Sequence, residues 1–183
     1  QGTTTVLSLD GYALPFENEA INKLHPVNVK MATLHTPKNV IAGEAGTGQR
    51  IEENHRRFTA EEAVSSGAVA IGEVGSPATT GATYEKNLRL ERPITIQDAL
   101  ALDDSFVSSD EEAFVQAMKG AGLEHMTVAE ARKLVQETSI DTIRSANDAI
   151  LETIEYAPRL GVPALCHSEP PSHDVLRQVA KEL

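Results

Sequence analysis

The 183 residues suffice for one domain with a hydrophobic core. An apolar share of 40% and a charged share of 23% exclude a disordered chain, and a net charge of −11 speaks against nucleic-acid backbones and anionic membranes as partners. With no Trp and 4% aromatics, base-stacking platforms are not expected either.

Apolar runs are only a few residues long, so no membrane span is expected. The start, QGTTTVLSLD, has neither a basic n-region nor a long apolar stretch and does not read as a signal peptide. A single cysteine, Cys166, excludes an internal disulfide framework and fits a reducing cytoplasm.

In chain order, Thr3 to Leu9 is rich in β-branched residues and predicts a strand. Phe16 to Leu24 has apolar residues near helical spacing, and Val27 to His35 predicts a second strand. Thr36-Pro37 then opens what reads as a glycine-rich loop, Gly43 to Gly48. Thr59-Ala60-Glu61-Glu62 is a capping box, with Gly67 as the helix stop. Val69 to Val74 predicts the third strand, followed by a polar segment from Gly75 to about Ile94. Thr95 to Gly122 predicts helix in pieces, broken at Asp103–Asp104 and at Asp110–Glu112. Thr127 to Glu130 is a second capping box. Ile140, Ile143, Ile150 and Ile154 stripe an amphipathic helix over Ser139 to Tyr156, ended by Pro158 and Gly161. Val162 to His167 predicts a fourth strand, Pro170-Pro171 a turn, Ser172 a cap, and Val175 to Leu183 a last helix.

Alternation of strands and helices implies parallel strands joined by helical crossovers. Two architectures accommodate it, an open doubly wound sheet and a (β/α)8 barrel, and a complete barrel takes about 250 residues. In both, ligands gather at the C-terminal ends of the strands. Glu73, His167 and His35 stand at such ends. The strands bearing Glu73 and His167 are consecutive, so they are expected to be neighbours about 4.8 Å apart. A carboxylate and an imidazole so placed can share one divalent cation such as zinc. The glycines around Glu73 would leave room for ion and substrate. The plainer alternatives are a solvated or ion-paired glutamate and a hydrogen-bonded core histidine.

Other signals compete. Gly43 to Arg50 has the outer glycine spacing of a phosphate-binding loop but Gln-Arg where Lys and Ser/Thr are needed, so it reads as a loop able to close over substrate. Cys166 and His167 should face opposite sides of their strand. Glu169 could assist His167 as a ligand or orienting group. His25, His55, His125, His173, Arg56 and Arg57 read as surface residues, and Asp110-Glu111-Glu112 as a solvated helix start.

QGTTTVLS, VAIGEVGSP and VPALCHSE together resemble the amidohydrolase superfamily of metal-dependent hydrolases, in its enamidase-like branch. The resemblance covers the whole chain. It implies a TIM-type barrel, here a single partial domain, 1–183, holding strands two to five. It carries a bridging metal ligand onto Glu73 and a second ligand onto His167, with zinc, or iron or manganese, as the ion. It implies hydrolysis of C–N bonds in cyclic amides or related small molecules, by a metal-activated water attacking the amide carbon. The family's first-strand H-x-H pair has no counterpart in this sequence, and its later His and Asp would fall beyond Leu183. The expectation is therefore a chain inactive in isolation, or a non-catalytic half-barrel completed by another chain or by oligomerisation.

Overall fold

The structure, a computed structural model, describes residues 2–9, 11–24, 26–75, 95–137, 141–167 and 173–182. The expected polar segment beyond Gly75, Ser139 and Ile140, the Pro170-Pro171 turn, the Ser172 cap, His25 and Glu169 lie outside these residues. The chain divides into two compact units, Gln1–Val74 with Asp148–His167 and Gly75–Asn147 with Ser168–Leu183.

The first unit holds the sheet: β1 (Thr5–Ser8), β2 (Asn28–Thr33), β3 (Ala70–Val74) and β4 (Ala164–Cys166). All pairings are parallel and the spatial order is β1-β2-β3-β4. A doubly wound sheet reverses its order at a switch point. This sheet does not, and its sequential order is that of a partial barrel. Helix α1 (Pro15–Leu24) leads from β1 to β2. Its Asn22 fixes it there: Asn22 Nδ2 donates to the Val29 carbonyl at 3.0 Å, and Val29 N–H donates to Asn22 Oδ1 at 2.7 Å.

Between β2 and β3 run α2 (Pro37–Thr47), α3 (Glu53–Arg57) and α4 (Ala60–Ser65). Helix α2 replaces the expected glycine-rich loop, and with it goes the idea of a flexible lid. Pro37 occupies the first turn, where its missing N–H costs nothing. Gly48, at φ 65°, is a left-handed C-cap. Gly43 clears space inside the helix, since a Cβ there would lie 2.6 Å from Tyr12 Oη. Tyr12 Oη donates to the Asn39 carbonyl at 2.6 Å. The expected capping box is present on α4: Glu62 N–H donates to Thr59 Oγ1, and Thr59 N–H to Glu62 Oε2.

The second unit is helical among the described residues: α5 (Ile96–Ser108), α6 (Glu111–Gly120), α7 (Val128–Glu137), the start of α8 (Asp141–Arg159) and α9 (His173–Glu182). Helix α5 runs straight through Asp103–Asp104, where a break was expected. Arg144 binds both carboxylates, at 2.5 and 2.6 Å, and so removes their mutual repulsion. The second expected break is present: Ser109 is left-handed at φ 58°, and Asp110 caps α6 by accepting from Ala113 N–H. Arg132 lies over the ring of Phe114, 4.7 Å from its centre, above a core that includes Leu102, Phe114 and Leu123.

Helix α8 extends to Arg159, with Pro158 inside its last turn and Gly161 beyond it at φ 69°. Its final turns belong to the sheet unit. There Lys38 N–H donates to Glu152 Oε2 at 2.9 Å, and Asn39 Nδ2 donates to both Thr36 Oγ1 and Thr153 Oγ1 at 2.8 Å. Ile71, Ala60 and Ala157 form the buried core beside β3, with Val162 and Ala164 against it. No helix is long and apolar enough to cross a membrane, among the described residues.

Candidate functional site

Glu73 and His167 meet at the C-terminal ends of adjacent strands. Glu73 Oε2 lies 3.2 Å from His167 Nε2. Both side chains are about 30% exposed, at 29% and 31%, so the pair is partly open to solvent. The backbone fixes this end of the sheet, because His167 N–H donates to the Val74 carbonyl at 2.8 Å.

The pairing of β3 with β4 is irregular. Ile71 pairs with Ala164 and Val74 with Cys166, so three steps on β3 span two on β4. The extra residue makes a bulge of the kind that redirects a side chain. The Gly72–Glu73 peptide within it is cis. The glycine expected to clear space for an ion clears it for the neighbouring strand instead. A Cβ on Gly72 would press on the Leu165 carbonyl oxygen and lie 2.7 Å from Leu165 Cβ.

Cys166 lies beside this pair. Burial, and then the Glu73 carboxylate, push its thiol up to about 11. At neutral pH it is a protonated, inert group, not a nucleophile.

His35 follows β2 and is buried, 3% exposed. Its Nδ1 is 2.9 Å from Thr33 Oγ1, and its ring packs edge-on against Tyr12 and Phe58 and parallel to His55. His55 and Arg56 are therefore half-buried rather than surface residues. His55 Nδ1 is 2.5 Å from the Tyr12 carbonyl, and Arg56 pairs with Glu44. That ion pair, with Ile51 N–H as a second donor, holds the Glu44 carboxyl below the usual range. The aromatic cluster borders a cavity of about 360 Å³ lined by His35, Phe58, Glu61 and Tyr156 among others. Nothing in the sequence pattern marked His55 or Arg56, because short α3 carries no apolar stripe.

The Glu73–His167 separation suits an ion pair once the imidazole is protonated. It also suits two donors on one tetrahedral cation, which stand about 3.3 Å apart when each bond is about 2.0 Å. The donor set, one carboxylate oxygen and one imidazole nitrogen, is chemically suited to zinc, iron or manganese. Among the described residues no group of three or more His, Cys, Asp or Glu is placed to hold a metal. No family model matches the chain, and neither does any curated protein or solved structure.

Proposed function

We propose that this chain carries part of the metal centre of an amidohydrolase-like enzyme, with Glu73 and His167 as ligands to a divalent cation, zinc first among the candidates. The observation that carries this reading is the 3.2 Å approach of Glu73 Oε2 to His167 Nε2 at the C-terminal ends of adjacent parallel strands. Parallel (β/α) units gather their chemistry at that end, in the manner of a TIM-type barrel. When bound, the ion would supply Lewis-acid polarisation of a substrate carbonyl and an activated water. The substrate class is a small molecule with a C–N bond to hydrolyse, a cyclic amide foremost.

The roles of this chain's residues follow from position. Glu73 and His167 bind and hold the ion, and Glu73 is not the proton acceptor. Cys166, with its raised thiol, stays out of the chemistry. A catalytic zinc takes three protein ligands. The third would come from outside the described residues or from a second polypeptide. A lone cysteine suits a reducing cytoplasm as the place of action.

A second reading is a non-catalytic half-barrel that another chain completes. The exposed sheet edge favours it: Val6 and Leu7, on successive positions of β1, are 41% and 44% exposed.

The test is calorimetric titration of the metal-free chain with zinc, beside Glu73→Gln, His167→Ala and the exposed control His125→Ala. The metal reading expects stoichiometric binding by wild type and control, weakened roughly tenfold or more in the two site variants. No binding by wild type, or equal binding by all four, rejects it. Light scattering in the same samples addresses the second reading, which expects association through the open edge.

A further inference from the structure

We infer that Gly72 is a positioning residue: the bulge it forms against Leu165 aims the Glu73 carboxylate at His167. Strict alternation along β3 would put Glu73 on the same face as Ile71, which is wholly buried. A carboxylate there would lose its hydration without a partner. The extra residue opposite Leu165 breaks the alternation. Ile71 and Val74 both stay buried, and Glu73 between them reaches the half-open position beside His167.

Among the L amino acids and glycine, only glycine fits this place. Its φ is +136°, a region that L side chains rarely adopt. The obstruction is backbone as well as side chain, because an added Cβ meets the Leu165 carbonyl oxygen and lies 3.0 Å from its carbon. Leu165 cannot easily yield. Hydrogen bonds tie its strand to β3 on either side, from Ile71 N–H to the Pro163 carbonyl at 3.0 Å and from His167 N–H to the Val74 carbonyl at 2.8 Å. A methyl group at 72 must therefore open the two strands between these bonds and shift Glu73 relative to His167. Gly67 makes the natural comparison. Its φ is also positive, +110°, yet no atom lies within 4 Å of an added Cβ.

The consequence for metal affinity rests on the metal reading above, whereas the geometric claim does not. The experiment separates them. Nuclear Overhauser effects between the Glu73 γ-protons and the His167 ring are recorded in the metal-free full chain for wild type, Gly72→Ala and Gly67→Ala. The same proteins are titrated with cobalt(II), followed by its visible absorption. Wild type and Gly67→Ala should show the Overhauser effect. In Gly72→Ala it should vanish while the resonances of β1 and β2 keep their wild-type shifts, and cobalt affinity should fall at least roughly tenfold. Persistence of the Overhauser effect in Gly72→Ala overturns the inference. If wild type binds no cobalt and the Overhauser effect vanishes only in Gly72→Ala, the metal reading is rejected and the positioning role stands. Should Gly72→Ala fail to fold, D-alanine installed at 72 by semisynthesis decides the matter. The D residue favours positive φ and turns its methyl away from Leu165, so it should fold and keep the Overhauser effect. Its disappearance there as well overturns the inference.

Discussion

Two strand pairs in this sheet behave differently. β1 and β2 stay in register over four consecutive residue pairs, from Thr5–Asn28 to Ser8–Met31, yet β1 is exposed along most of its length. β3 and β4 slip by one residue, and β3 is buried at every position except Glu73. The regular pair supplies hydrogen bonds and an open edge. The irregular pair supplies a core residue, Ile71, next to an aimed carboxylate. The ladder is disturbed where a polar side chain leaves an apolar strand.

The largest effect should come from testing that contrast in burial. Ile71→Ala at the wholly buried position should cost about 2–5 kcal/mol in urea unfolding, whereas Val6→Ala on exposed β1 should stay within about 0.5 kcal/mol. Comparable costs at the two sites would mean that β1 is covered in solution. Next is Asn39, which ties α2 to α8 through buried Thr36 and Thr153. Asn39→Ala leaves those hydroxyls without their donor and should cost about 1–3 kcal/mol, read from the same denaturation curves.

Cys166 reports on the irregular pair directly. With its thiol near 11, alkylation of the metal-free chain at pH 8 should run roughly a hundredfold slower than that of an unhindered thiol. Glu73→Gln should speed it, because the carboxylate is the second cause of the shift after burial. An unchanged rate would place Glu73 away from the thiol. The smallest effect concerns Glu44, whose carboxyl is held low by Arg56 and then by Ile51 N–H. A depressed folded value means a contribution present above the unfolded carboxylate range and lost as the pH falls through the folded value. The urea midpoint of wild type should therefore exceed that of Glu44→Gln at pH 7, with the gap closing towards pH 3. A gap constant across that range would contradict the pairing.

Much of this was legible in the residues. Short apolar runs marked all four strands, β-branched ones at the first, and Thr59 with Glu62 and Thr127 with Glu130 marked helix starts whose capping bonds are present. The adjacency of Glu73 and His167 followed from the order of parallel strands. The rest depended on neighbours distant in sequence. Glycines at 43 and 48 read as loop because Tyr12, which needs the space at 43, lies 31 residues earlier. Asp103 and Asp104 read as a break because Arg144 is some 40 residues away. The bulge was hidden for the same reason: Gly72 announces a special backbone, but only Leu165 on β4 says which kind.

X-ray absorption on the zinc-loaded chain tests the central claim most directly. The account predicts a first shell of nitrogen and oxygen at about 2.0–2.1 Å with the outer-shell scattering of an imidazole, that scattering being absent in His167→Ala and the shell altered in Glu73→Gln. Spectra identical in wild type and both variants, or a fully hydrated ion, would contradict it.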